Sequence, residues 1–357
     1  MTLLELLRID LPIIQAPMAG VSTPAMAAAV SEAGALGSLG VAAAGAEGAR
    51  RMIKAVRERT SRSLHVNVFC HAPAQPDTNV ETAWLEYLRP HFERFGVKPP
   101  AALREIYRSF LEDDDMLDVL LEEKPRVVSF HFGLPSAERV RALREAGIVL
   151  LSSATRLSEA RAAEAAGMDA VIAQGYEAGG HRGVFDPNAP DDNLGTFALT
   201  RLLVRQLRVP VIAAGGIMDG AGIEAALRLG ARAAQLGTAF VGCPESDADE
   251  GYRRALLSNA AHHTLMTRAI SGRPARCLPN RFTQLGADVS AEQIPAYPIT
   301  YDAGKQLHAA AKAAREFGYG AQWAGQGAPL ARALPAAELV ATLARELREA
   351  GMLSAPS

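Results

Sequence analysis

Val211-Ile212-Ala213-Ala214-Gly215-Gly216-Ile217, followed one βα spacing later by Ala234-Gln235-Leu236-Gly237-Thr238, carries the reading of the fold. Each segment is a mainly apolar, non-alternating run that leads into glycine. A strand that does not alternate polar and apolar residues is buried on both faces, as parallel sheets require. In a (β/α)8 barrel the loops after the seventh and eighth strands often bind phosphate through backbone N–H groups. Gly215, Gly216 and Gly237 permit that close approach, and Thr238 adds a hydroxyl. Glycines at strand ends also serve packing, but two such ends in this order favour a phosphate site.

Working outward, similar apolar runs stand at 13–16, 36–39, 64–68, 126–130, 148–151 and 170–173. Alanine-rich helical segments lie between them, at 25–33, 48–59, 136–146, 157–166, 196–207 and 220–229. Several meet a closing glycine, namely Gly34, Gly147, Gly167 and Gly230. Eight strands alternating with helices predict a TIM (β/α)8 barrel, with a doubly wound open sheet as the structural alternative. Two stretches exceed a minimal barrel connection. One, about 71–125, holds Tyr107 and the acidic run Glu112-Asp113-Asp114-Asp115; the other is the loop at about 175–195. After the eighth strand the βα rhythm stops until a closing helix at 336–350, and this region holds Tyr252, Tyr297 and Tyr301. The expected division is a barrel from residues 1–73, 121–248 and 320–357, with 74–120 and 249–319 forming a smaller, mainly helical lid domain.

Composition narrows the function. The chain has 357 residues, 49% of them hydrophobic, and a net charge of −2, which gives no electrostatic reason to expect nucleic acid or a charged membrane surface. No apolar stretch reads as a membrane span, and the first residues lack the basic start of a secretory signal. Three scattered cysteines, Cys70, Cys243 and Cys277, fit a reducing cytosol and form neither a disulfide framework nor a zinc motif. GxGxxG after the first strand, GxxxxGK[ST] and GxSxG are all missing, which removes a Rossmann site, a P-loop and a serine-hydrolase elbow.

The chemistry concentrates at strand ends. Gln174-Gly175-Tyr176-Glu177-Ala178-Gly179-Gly180-His181-Arg182-Gly183 begins where an apolar strand stops and carries a histidine in a glycine-rich turn. Gln15, Met18, Asn67, His131 and Gln174 stand at or beside other strand ends. Buried amides need partners, and an unsatisfied one costs about 1–3 kcal/mol. Hydrogen bonds to neighbouring loops are one solution; a flat heteroaromatic cofactor is another. A phosphate anchor with amides around a ring reads as FMN rather than a sugar phosphate. His131 and His181 lack a nearby carboxylate to complete a ligand set, so no metal is expected. His262 and His263 are read as surface or structural residues.

Four stretches, Gln15-Ala16-Pro17-Met18-Ala19-Gly20-Val21-Ser22-Thr23-Pro24, Glu177-Ala178-Gly179-Gly180-His181, Ala214-Gly215-Gly216-Ile217 and Gln235-Leu236-Gly237-Thr238, resemble nitronate monooxygenases, formerly called 2-nitropropane dioxygenases. Tyr301-Asp302-Ala303-Gly304-Lys305 and Gln322-Trp323-Ala324-Gly325-Gln326-Gly327 resemble the bacterial class I branch. The resemblance spans almost the whole chain. It implies a TIM barrel holding FMN non-covalently against Met18, Asn67, Gln174, Gly179, Gly216, Gln235, Leu236, Gly237 and Thr238. It implies a substrate pocket formed by His131, Tyr107, Tyr252, Tyr297, Tyr301 and Lys305, with His181 as the catalytic residue. Lys305 or a protonated His181 is expected to attract the anionic nitronate, and tyrosine hydroxyls to bind its oxygens. Whether His181 acts as a base or a positioning group stays open.

The implied reaction oxidises alkyl nitronates, propionate 3-nitronate among them, with O2 to a carbonyl compound and nitrite, as a detoxification in the cytoplasm. No nucleic-acid or membrane partner is expected, and the oligomeric state is monomer or homodimer. An FMN-dependent NADH:quinone or enoyl-thioester reductase shares the first motif and the glycine turns and is the alternative enzyme. A flavin- or phosphate-binding barrel protein is the non-enzyme alternative.

Overall fold

Strands form where the apolar runs stand. In chain order they are β1 (Ile13–Gln15), β2 (Gly37–Gly40), β3 (Leu64–Phe69), β4 (Val127–His131), β5 (Val149–Ala154) and β6 (Ala170–Gln174). They continue as β7 (Gly180–His181), β8 (Val211–Ala214), β9 (Ala233–Leu236), β10 (Leu265–Thr267) and β11 (Ala275–Cys277). The structure, a computed structural model, describes residues 1–353. Eight strands pair in parallel in the order β1-β9-β8-β6-β5-β4-β3-β2. The ends of that order meet: Gln15 N–H donates to the Leu36 carbonyl at 3.0 Å, and Leu36 N–H donates to Ile13 at 3.0 Å. That contact joins β1 to β2, so the sheet is a barrel and the open doubly wound sheet is excluded.

The strands are buried along nearly their whole length, which explains their non-alternating sequences. Helices ring the barrel, among them Pro24–Glu32, Gly45–Arg57, Ala137–Glu145, Leu157–Ala165, Thr196–Gln206, Gly220–Arg228 and Ala336–Leu353. Side chains of Thr23, Ser136 and Asp219 accept backbone N–H groups at three of their starts. Gly34, Gly147, Gly167 and Gly230 follow four helix ends at positive φ, the backbone state that a closing glycine supplies. The first helix, Leu3–Leu7, plugs the barrel's N-terminal end, where Leu3 and Leu7 pack with Ile14, Leu36, Leu151, Ile172 and Ile212. The interior therefore opens at the strands' C-terminal ends.

The acidic run has a structural use. Asp113 caps the helix Asp114–Glu123, and Asp114 pairs with Arg139 at 2.6 Å. This helix packs in the barrel's outer ring, its Met116, Val119 and Leu120 sharing a core with strand and helix residues. Over the barrel mouth, the helices Thr78–Glu93 and Ile299–Ala313 pack around Trp84, Leu88, Phe92, Leu307 and Tyr319. The same region carries a feature absent from the sequence reading, a three-stranded antiparallel sheet in the order β10-β11-β7. Ala275 of β11 stands opposite His181, and Arg276 opposite Gly180. His181 therefore sits in a short strand, not at the tip of a free turn.

Candidate active site

A cavity of about 430 Å³ fills the C-terminal mouth, bounded by strand ends below and by the overlying segments above. On the barrel side it meets Met18, Asn67, Gln174, Gly179, Gly216, Gln235, Gly237 and Thr238. Leu236 differs: its side chain is buried in the core between sheet and helices, so only its backbone stands near the cavity. The glycines matter where chains converge. A Cβ on Gly179 would lie 2.5 Å from the Gly325 nitrogen, so neither strand of that crossing tolerates a side chain. The N–H groups of Gly216 and Gly237 find no acceptor among the described residues. Thr238 accepts the Gly325 N–H at 3.0 Å, which leaves its hydroxyl proton for a further acceptor.

The strand-end amides divide into two kinds. Gln15 is satisfied internally, donating to Ser22 Oγ at 2.8 Å and accepting the Ser38 N–H at 2.8 Å. Gln174 is likewise spent on its own loop: its Nε2 donates to the His181 carbonyl at 3.0 Å and its Oε1 accepts the Gly183 N–H at 2.7 Å. Both therefore hold neighbouring loops, and Gln174 lines the cavity as well. Asn67 uses its Nδ2 on Ser129, at 2.8 Å to the hydroxyl. Gln235 has a buried Oε1 with no partner in the protein. A buried acceptor left alone costs about 1–3 kcal/mol, so this atom calls for a ligand donor.

From the overlying segments the cavity meets Tyr107, His181, Tyr252, Tyr301 and Lys305, and from the end of β4 it meets His131. Tyr297 is not on the wall; it stands behind it, ring-on-ring with His181 at 5.5 Å and His71 at 5.0 Å. Tyr252 gives its hydroxyl proton to the Trp323 carbonyl, so it anchors a loop instead of offering a donor. Lys305 extends over the rings of Tyr107 at 4.8 Å and Tyr301 at 5.3 Å and has no carboxylate within ion-pair distance among the described residues. Tyr301, Lys305, His308 and Lys312 share one face of the helix Ile299–Ala313. His308 and Lys312 both reach Asp249 Oδ2, at 3.3 and 3.4 Å.

The histidines do not form a metal pair. His131 Nε2 lies 3.3 Å from the backbone carbonyl of His181, and its Nδ1 lies 2.5 Å from Ser153 Oγ. His181 Nε2 lies 2.8 Å from Ser271 Oγ, a residue of the β10–β11 hairpin. Burial, helped by the charges of His131, Arg273 and His71, pushes His181 down to about 3. Burial likewise pushes His131 down to about 4. Burial thus favours the neutral form of both rings near pH 7. Burial also holds Tyr301 up to about 12, keeping its hydroxyl protonated.

Sequence reasoning missed Trp323, Ser153 and Ser271. Trp323 lines the cavity and packs 5.2 Å from the His181 ring. It lies in the Gln322–Gly327 stretch already singled out, which was the available signal. Ser271 had none, because its partner is ninety residues away in sequence. His262 and His263 are exposed on a short 3-10 helix, away from the cavity lining.

The family model described as nitronate monooxygenase matches residues 1–346 of this chain. The chain is 67% identical over 347 residues to a nitronate monooxygenase of Paraburkholderia phytofirmans, covering 97% of this chain and 95% of that one. It is 56% identical over 344 residues to a nitronate monooxygenase of Pseudomonas aeruginosa, covering 96% and 98%. Among solved structures, nitroalkane oxidase from Streptomyces ansochromogenes superposes with a TM-score of 0.90 at 43% identity, over 99% of each chain. FabK from Thermotoga maritima superposes less closely, with a TM-score of 0.73 at 30% identity over 98% and 96%.

Proposed function

The chain belongs to the nitronate monooxygenase family of flavin-dependent oxidoreductases, and from that premise we propose that it binds FMN and oxidises alkyl nitronates with O2 to a carbonyl compound and nitrite. The observation that carries the FMN reading is the unpartnered Gln235 Oε1, buried in a cavity that also presents the free N–H groups of Gly216 and Gly237. A ring donor suits the first, and phosphate oxygens suit the others. Met18, Asn67, Gln235 and Gly179 would flank the ring; Gly216, Gly237 and Thr238 would take the phosphate. When bound, FMN supplies the electron acceptor that passes reducing equivalents to O2.

The chain's own residues prepare the substrate. The Lys305 ammonium, with no carboxylate within ion-pair distance among the described residues, attracts the anionic nitronate, and the hydroxyls of Tyr107 and Tyr301 bind its oxygens. Burial draws Lys305 below its ordinary value, with Asp302 acting in the opposite sense. His181 meets the substrate as a neutral imidazole. In that form it positions a nitronate through one hydrogen bond, or takes a proton from a neutral nitroalkane. Trp323 and Tyr301 close the space beside it and exclude water. We take residues 74–120 and 249–319 as the substrate-binding lid, apart from the helix Asp114–Glu123, which packs in the barrel's outer ring. Propionate 3-nitronate is the proposed physiological substrate, detoxification in the cytoplasm the role, and monomer or homodimer the working state. No helix among the described residues is long and apolar enough to cross a membrane.

Oxygen consumption with propionate 3-nitronate, without reduced nicotinamide, tests this reading. Rapid uptake with nitrite release is expected. FMN-loaded protein that takes up no oxygen, yet is bleached by NADH without air, would replace it with the NADH-linked reductase reading.

A further inference from the structure

Arg273 is 3% exposed, yet no carboxylate lies within ion-pair distance of it among the described residues. Its Nη2 donates to the Val184 carbonyl at 2.5 Å, and its Nε has no partner. The neighbouring Arg182, equally buried, has Asp191 at 2.7 Å. Asp186 and Glu159 are the carboxylates whose charge reaches Arg273. Glu159 is already engaged by Thr155 and the Phe185 N–H. Burial draws the guanidinium down only to about 10, so it stays charged at neutral pH. An uncompensated buried cation costs several kcal/mol, and a fold retains one where something else repays it.

Its placement identifies what that is. The guanidinium carbon stacks 4.2 Å from the Phe132 ring and 6.0 Å from Tyr297. Those rings pack edge-on against His181 at 5.6 and 5.5 Å, and His181 lines the cavity. The charge therefore stands one ring layer behind the substrate pocket, screened from water and free to act on whatever occupies it. It also disfavours protonation of His71, His131 and His181.

We propose that Arg273 is a specificity-determining cation that makes the pocket select anionic over neutral substrates, acting through the Phe132–Tyr297 layer without touching them. Together with Lys305, on the same side of the cavity as His181, it adds a second positive charge; of the lining carboxylates Asp247 and Asp249, the second is held by His308 and Lys312. The inference rests on the nitronate reading for the natural ligand, but its test does not depend on turnover.

Butanoate and butanamide are nearly equal in shape and differ by one charge. Their dissociation constants for the holoenzyme, measured by calorimetry, read the effect directly. Arg273→Met should weaken butanoate about tenfold, as expected for one charge acting across a ring layer in a protein interior. Butanamide should change less than about twofold, and Arg273→Lys should restore the preference. Equal weakening of both ligands, or no rescue by lysine, would overturn the proposal. If Arg273→Met does not fold, Lys305→Met decides: with Arg273 intact it should still prefer butanoate, and equal affinities would overturn the role. Loss of nitronate oxidation beside an intact butanoate preference would sink the function proposed above and leave this inference standing.

Discussion

Gly216 and Gly237 present bare backbone to the cavity from two neighbouring strand ends, whereas Tyr107, Tyr301 and Lys305 reach it on long side chains from segments far apart in sequence. The same contrast appears in two buried histidines. His65 on β3 is bonded at both nitrogens, to Ser38 Oγ at 2.8 Å and Ser129 Oγ at 2.6 Å. His71, just beyond β3, makes a well-formed hydrogen bond at neither nitrogen, although the Tyr107 backbone lies close enough to favour its charged form. The barrel side is thus fixed in place before any ligand arrives, with the Gln235 Oε1 and the Gly216 and Gly237 N–H groups left for that ligand. The lid side carries unpaired polar groups and takes its precision from aromatic packing.

The largest expected effect breaks the backbone side. Gly179→Val drives a side chain into Gly325 and should cost about 1–3 kcal/mol of stability and abolish flavin retention. Bound-flavin absorbance and the melting temperature measure both; a variant that kept its flavin would show that this crossing does not shape the cofactor site. The next effect belongs to the lid side alone. His181→Asn should lower turnover on the order of a hundredfold while FMN stays bound, and unchanged turnover with propionate 3-nitronate would remove His181 from the chemistry.

The last effect, confined to acid pH and without bearing on turnover near neutrality, compares the two histidines. Burial puts His65 at about 3 and His71 at about 4, below their ordinary 6.5, so the folded protein keeps both neutral where an unfolded chain would bind protons. Stability is therefore full above about pH 7 and is lost as pH falls from about 6.5 towards 4, by at most about 1.4 kcal/mol per pH unit for each ring. Melting temperatures from pH 8 to 5 should fall only in the acidic half of that range, and His71→Phe should flatten part of the fall. A fall that His71→Phe does not change would assign the proton uptake elsewhere.

The sequence made the barrel legible because its strands are buried on both faces and therefore carry unbroken apolar runs, and because glycine closes four helices at positions a reader can count. It made the phosphate-side glycines legible for the same reason: a strand end followed by glycine is local information. What it hid was non-local. β7 has two residues and β10 and β11 three each, too short for any periodicity. Ser271 and Arg273 sit in an unremarkable turn, and their meaning comes only from His181 and Phe132 across the fold. Tyr252, Tyr297 and Leu236 were singled out with their neighbours; the structure adds that Tyr252 lines the cavity while anchoring a loop, Tyr297 packs behind the wall and the Leu236 side chain packs in the core. Gln15 and Gln174 hold their neighbouring loops, and Gln174 also lines the cavity, two uses that the sequence could not separate.

The pairing of β11 with β7 also has a kinetic side. A cover that is sewn to the barrel by main-chain hydrogen bonds at His181 cannot swing away without unzipping that seam. Traffic must then pass through a standing doorway on the side where Lys305 and Lys312 are open to solvent. The amides of the seam should exchange with solvent deuterium as one slow unit, and their opening rate sets no ceiling on turnover.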